Sequence, residues 1–447
     1  MIDFTLIGAV LAGVVLLITL ILRFKIQAFI ALLLASILVG ILSGMEPMMI
    51  IKTIQEGMGN TLGFVAVVVG LGAIFGAILE QSGGAEALAA FLLNKFGEKN
   101  SSWALMLTGF IVAIPVFFDV AFIILVPMIY ALQRKTGKSL LLYGIPLLAG
   151  LAITHSFIPP TPGPIAVADI LMADLGWVIL FGFLVGIPTA IFCGPLFGKY
   201  IAKRIQIEAP KLKQNNKISK KVPPVSSIIA IIAIPIVLIV MNTLLNSPLI
   251  GDDTVSKSVL DWIGMVGHPF SALLIANLIA WYLLGIRKGF TKTQLLDIST
   301  KSLAPAGVII LITGAGGVFK QILVNTGTGT MLANYFADQG ISLLVFGFLA
   351  AVVVRVLQGS ATVAMITAAG LTAPLLLSNT SEPEKALLVI AIASGASIMS
   401  HVNDSGFWLV GKYLGLTEKQ TFRSWTLMTT ILAITGFVSA FTISLFL

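Results

Sequence analysis

Runs of apolar residues long enough to cross a bilayer recur along almost the whole chain, near residues 4–22, 26–41, 62–79, 140–158, 177–201, 225–245, 269–286, 303–323, 385–399 and 424–446. Hydrocarbon offers backbone N–H and C=O groups no partner, so runs of about twenty residues in it fold as helices. Composition agrees: 57% of residues are hydrophobic and 10% charged, and the mean hydropathy is +1.04, far from a soluble domain. The expected class is an all-α polytopic membrane protein in contact with lipid. The net charge of +8 does not point to nucleic acid, because most Lys and Arg fall in short connections between apolar runs, where they set orientation. One cysteine, Cys193, and three histidines leave no disulfide and no thiolate metal set, so no cofactor and no metal site is expected. The apolar N-terminal run lacks a basic flank and a small-residue cleavage pattern, and reads as a retained first membrane helix.

Two polar breaks interrupt this pattern at matching places in the two halves: LAITHSFIPPTPGP at 151–164 and IMSHVNDSGFW at 398–408. Irregular backbone at membrane depth survives only where protein buries it or a cavity hydrates it. Broken helices at corresponding positions of two halves point to the binding site of a transporter. Two further runs, 101–132 and 341–377, are broken at IPVFFDV (114–120) and RVLQGSAT (355–362). Either could be a pair of crossings or a re-entrant hairpin; the first, at about 30 residues against the roughly 40 needed for two crossings, favours the hairpin.

Basic residues order the connections. Arg23/Lys25, Lys95/Lys99, Arg134/Lys135/Lys138 and Lys199/Lys203/Arg204 fall on one side, and Arg287/Lys288/Lys292 and Lys412/Lys419/Arg423 join them. With that side cytoplasmic, both termini lie outside, and the halves run in opposite directions. The expected organisation is a first inverted repeat at 1–203, a basic cytoplasmic linker at 204–221 and a second repeat at 222–447. Self-similarity supports the duplication: Gly72/Gly316, Phe75/Phe319, Ile78/Ile322, Leu79/Leu323, Gly83/Gly327, Leu88/Leu332 and Ala89/Ala333 align, with Thr154-His155 opposite Ser400-His401. The helix 82–96 reads as an amphipathic arm on the membrane surface. The Gly-rich strings GLGAIFG and GAGG lack the Lys-Ser/Thr of a phosphate loop and suit close helix packing instead.

Ionisable groups inside apolar runs are the first site candidates. Arg355 suits a two-donor contact to a substrate carboxylate, with an ion pair to Asp119 or Asp404 as the plainer role. Asp119 and Asp404, with His155 or His401, suit proton coupling; capping a helix start is the plainer role of Asp119, and bonding loosened backbone that of the histidines. Thr154, Ser156, Thr161, Gln358, Gly359, Ser360, Thr362, Ser400, Asn403 and Ser405 offer uncharged donors and acceptors for a polyhydroxylated ligand. Glu80 and Lys320, near the ends of apolar segments, can snorkel to an interface. A channel would need a continuous ring of like groups along a pore. An enzyme would need a nucleophile or metal set, and no HExxH or GxSxG element is present.

The strings IPVFFDVAFIILVP, THSFIPPTPGP, GGVFKQILVNTG, QGSATVA and SHVNDSGFW together resemble the gluconate permease family across essentially the whole chain. That resemblance implies a proton-coupled importer of gluconate or a related sugar acid in the inner membrane. It also implies the ion-transporter fold, two inverted repeats each with a re-entrant hairpin and a broken helix, working by alternating access. Hairpins and broken helices would move as a unit against the remaining helices. Members of the family handle gluconate, idonate, other sugar acids or D-serine, so the ligand class carried over is a small hydroxylated carboxylate taken up with protons. A sodium-coupled carboxylate carrier is the nearest alternative, and a homo-oligomer is compatible with the sequence.

Overall fold

The computed structural model describes residues 4–210, 223–246, 257–328, 342–377, 379–402 and 404–447. Among these residues the secondary structure is helical, without strands. The first half contains α1 (Phe4–Leu22), α2 (Ala28–Leu42), α3 (Pro47–Gln81), α4 (Gly84–Phe96), α5 (Ser101–Val112), α6 (Phe118–Thr136), α7 (Leu141–Phe157), α8 (Pro162–Leu171) and α9 (Leu175–Ala202). The second contains α10 (Val225–Leu245), α11 (Lys257–Gly267), α12 (Pro269–Lys288), α13 (Lys292–Asn325), α14 (Leu343–Gln358), α15 (Ala361–Thr372), α16 (Glu382–Ser397), α17 (Ser405–Leu414) and α18 (Glu418–Ser444). Among the described residues seven helices are long and apolar enough to cross a membrane, counting α7–α8 as one, and shorter apolar helices accompany them. The chain is a multi-pass membrane protein.

Among the described residues both halves place a very long helix (α3, α13) ahead of shorter helices, a helix interrupted by a break (α7–α8, α16–α17) and a closing helix (α9, α18). The long helices α3 and α13, of 35 and 34 residues, lie against each other, and each exceeds the hydrocarbon thickness. In the runs read as hairpins, α5 and α15 have 12 residues each, a rise of about 18 Å against a core of about 30 Å. Neither can cross, which is the property a re-entrant arm requires. The amphipathic segment 82–96 forms α4, with Ala85, Leu88, Ala89 and Leu92 buried on its inner face.

Small residues let these short arms sit deep. A Cβ on Gly109 of α5 would stand 2.4 Å from the Leu147 carbonyl oxygen of α7, and one on Gly150 of α7 would stand 2.2 Å from the Met106 oxygen. Only a glycine pair allows backbones this close. Gly76, in the Gly-rich string of α3, lies under Pro115 at the tip of the first hairpin, with its would-be Cβ 1.9 Å from the Pro115 oxygen. The glycines therefore serve packing, as the missing phosphate-loop residues implied.

The breaks follow local chemistry. Residues 158–161 separate α7 from α8, which restarts at Pro162, where a missing N–H costs nothing. Residues 398–404 separate α16 from α17, with Met399 held at a φ of 44°. The first residues of the expected linker are fastened to the first half. Ser139 Oγ donates to the Ile205 oxygen (2.7 Å), Leu140 N to the Ile207 oxygen (2.8 Å), Ala209 N to Gln133 Oε1 (3.1 Å) and Arg134 Nη2 to the Pro210 oxygen (2.8 Å). Residues 205–210 are thus laid across the α6–α7 turn; 211–221 lie outside the described residues. Beside this turn Lys135 pairs with Glu98, and the hydrogen bond and charge of the ammonium hold the exposed Glu98 carboxyl below its ordinary pKa.

Candidate functional site

A cavity of about 570 Å³ collects the interruptions of both halves. Its wall includes Phe117–Val120 at the first hairpin tip, and Gln358, Gly359, Ser360 and Thr362 at the second. His155 and Ser156 come from the first broken helix, and Ser397, Asp404 and Ser405 from the second. Pro305 and Ile309 of α13 and Trp425, Thr429 and Leu432 of α18 complete it. The two broken helices touch directly, Ser397 Oγ donating to Ser156 Oγ at 2.9 Å.

Three helix N-termini face this space, those of α6, α15 and α17. Unsatisfied N–H groups and the helix dipole make each attractive to an anion. Two already meet a carboxylate: Asp119 lies in the first turn of α6, and Asp404 caps α17, accepting from Gly406 N at 3.0 Å. The third is different. Ser360 caps α15 by accepting from Val363 N (3.4 Å), and no acidic residue stands in its first turn.

Arg355 is the one cation in the lining among the described residues. Its Nη2 donates to Asp404 Oδ2 at 2.5 Å, Nη1 to the Gly359 oxygen, and Nε to the Ile398 oxygen at 3.3 Å. The plainer role foreseen for Arg355, an ion pair with Asp404, is therefore present, and both partners also border the cavity. Asp404 Oδ2 accepts from Ser400 Oγ as well, and Ser400 Oγ in turn accepts from Trp425 Nε1 at 2.6 Å. Asp119 does not hold the cap position of α6, which falls to Phe117; its carboxylate is exposed and has no ion-pair partner among the described residues. His155 Nδ1 is buried without a hydrogen-bond partner among the described residues, with the ring 6.4 Å from that of Phe118.

The structure brings ten of the sequence candidates to the cavity: Asp119, His155, Ser156, Arg355, Gln358, Gly359, Ser360, Thr362, Asp404 and Ser405. Four others turn elsewhere. Thr154 Oγ1 donates to the Phe110 oxygen (2.8 Å) and Thr161 Oγ1 to the Ile158 oxygen (2.7 Å), both buried. Ser400 lies behind Asp404, and the His401 ring meets the Val356 oxygen at 2.9 Å. Loosened backbone in a dry interior needs partners, and these side chains supply them. Asn403 lies outside the described residues. Sequence reading missed Ser397, the last residue of α16 before the break, where a hydroxyl at the end of an apolar helix was the available signal. It also missed Trp425 and Thr429, for which the apolar helix α18 carries no marker.

An all-helical membrane protein whose hairpins and broken helices meet around a cavity with charged and hydroxyl side chains in its wall belongs to the class of membrane transporters. Its fold is similar to that of the Alcanivorax borkumensis YdaH transporter, at a TM-score of 0.59 and 14% identity over 87% of each chain. It is likewise similar to Neisseria gonorrhoeae MtrF, of a class of antimetabolite efflux pumps, at a TM-score of 0.63 and 16% identity over 87% of this chain and 83% of that one. The profile of GntP family permeases matches residues 4–446, and the chain belongs to that family. Among curated relatives, it is 40% identical to a gluconate permease of Pseudomonas aeruginosa over 96% of both chains. It is 39% identical to the low-affinity gluconate transporter of Escherichia coli K12, over 97% of this chain and 96% of the relative. To the Gnt-II system L-idonate transporter of the same strain it is 38% identical, over 97% and 98%. The relatives are permeases, not enzymes.

Proposed function

We propose that this chain is a secondary carrier that imports gluconate or a related sugar acid with protons across the inner membrane by alternating access. The carrying observation is the unmatched N-terminus of α15, beside Arg355, in a cavity where the other two N-termini already face carboxylates. A substrate carboxylate would sit there, on Ser360, Thr362 and the Arg355 edge. Its hydroxyls would meet Ser156, Gln358, Ser397 and the unpartnered His155 Nδ1. The substrates named for the relatives, gluconate and L-idonate, are polyhydroxylated carboxylates of this kind.

Charge supports the coupling ion. Two carboxylates, Asp119 and Asp404, face one guanidinium in the lining, so a substrate anion enters a site already short of positive charge. Burying a further unpaired charge is costly, and taking up a proton removes that cost. A long helix, a broken helix and a closing helix, in that order on either side of residues 204–221, support two repeats, 1–203 and 222–447, and the basic connections support an inverted relation with both termini outside. Uptake of radiolabelled gluconate into proteoliposomes tests the reading: an imposed proton gradient should drive accumulation and a sodium gradient should not. Competition by L-idonate and D-serine would rank the ligands. Accumulation that follows sodium and ignores protons would replace the proposal with a sodium-coupled carrier.

A further inference from the structure

The geometry around Arg355 carries the proposal one step further, and this step rests on the substrate reading above. Arg355 is gripped on two sides by backbone, Nη1 by the Gly359 oxygen and Nε by the Ile398 oxygen. Those bonds tie the guanidinium to the second hairpin tip and to the second break at once. Only Nη2 is spent on a group with a choice of partner, Asp404 Oδ2. Asp404 itself has two other bonds, from Ser400 Oγ and from Gly406 N. It can therefore let go of Arg355 without leaving its place, whereas Arg355 cannot move without breaking two helix ends.

We infer that Arg355 Nη2 is a shared seat: the substrate carboxylate takes it from Asp404, and the released Asp404 carboxylate accepts the co-transported proton. In balance, one anion and one proton enter together; the guanidinium keeps its charge and exchanges one carboxylate for another. Protonated Asp404 keeps Gly406 N on Oδ1 and donates from Oδ2 to Ser400 Oγ, which Trp425 Nε1 already holds in position. The groups facing Asp404 from each neighbouring element are Arg355 of α14, Asp119 of α6, His155 of α7 and Trp425 and Thr429 of α18. His401, on the same break, is turned to the Val356 oxygen. Asp119 faces the same space without an ion-pair partner among the described residues, so a further anion there depends on the proton. Binding and coupling are then one event at one nitrogen.

The experiment is calorimetric titration of gluconate into the purified full-length chain in buffers of different ionisation enthalpy, from which protons taken up per ligand are read. Wild type should take up about one proton, with affinity falling roughly tenfold per pH unit once Asp404 is ionised in the ligand-free protein. Asp404→Asn should bind with no proton uptake and a flat pH profile. In proteoliposomes it should retain gluconate counterflow and lose accumulation driven by a proton gradient. Zero uptake by wild type overturns the inference without any variant, so a poorly folding Asp404→Asn does not shield it. Normal uptake by Asp404→Asn overturns it equally. Absence of gluconate heat and counterflow in wild type is a separate result, and it removes the substrate reading as well.

Discussion

Removing the Arg355 guanidinium while keeping bulk, as in Arg355→Met, should destabilise the protein chiefly by stranding Asp404. The pair is buried, with side-chain exposures of 4% and 14%, and among the described residues no second cation lines the cavity. Breaking one partner of a buried pair costs about 3–5 kcal/mol. Spread over 447 residues at roughly 2 cal/mol/K each, the unfolding entropy is about 0.9 kcal/mol/K, so the apparent Tm should fall by about 3–5 °C. The double variant Arg355→Met/Asp404→Asn also loses the bonds to the Gly359 and Ile398 oxygens, but no charge is stranded, and Asn retains the cap of α17. It should recover at least about 1.5 kcal/mol of the loss. The assay is a double-mutant cycle by thermal unfolding of detergent-purified protein, following the loss of monodisperse material with temperature. Additive effects of the two substitutions would refute the claim that the pair, rather than the backbone bonds of Arg355, holds the site together.

Placing an acid at the open N-terminus, as in Thr362→Asp, should abolish gluconate binding while the protein stays folded; calorimetry showing unchanged affinity would move the carboxylate elsewhere. Ser397→Ala removes one hydroxyl of the Ser156–Ser397 pair and should raise the KM for uptake about two- to tenfold, the worth of one hydrogen bond, with little change in apparent Tm. Gly150→Ala pushes a methyl to 2.2 Å from the Met106 oxygen and should cost about 1–3 kcal/mol, read as a lowered apparent Tm; a neutral result would contradict the tight α5–α7 crossing. In a Cys193→Ser background, single cysteines at Lys138 and Lys292 should react with an impermeant thiol reagent only from the cytoplasmic side, and opposite accessibilities would break the proposed orientation.

Much of this architecture was legible because the bilayer leaves few solutions. Long apolar runs had to be helices, and a polar or Pro-rich interruption such as 158–161 or 398–404 had to be enclosed. Run length separated short arms from crossings, and α5 and α15 are indeed too short to cross. What the residues could not disclose was direction. Thr154 and Ser156 are two positions apart on α7, yet Thr154 faces the Phe110 carbonyl and Ser156 the cavity. Ser400 and Asp404 belong to one break, yet the serine stands behind the carboxylate. Hydroxyls beside a break are as valuable for satisfying its orphaned carbonyls as for holding a ligand, and sequence does not say which. Trp425 was illegible for another reason: an aromatic in an apolar helix looks the same whether it faces lipid or a site.

The strap at residues 205–210 has a practical consequence for anyone handling this protein. Whatever is inserted between the halves, a protease site, a fluorescent domain or an affinity tag, hangs from Pro210, and Pro210 is fastened to Arg134 at the end of α6. A load on the join is thereby delivered to the helix whose opposite end carries Asp119. Fusions at either terminus avoid that lever.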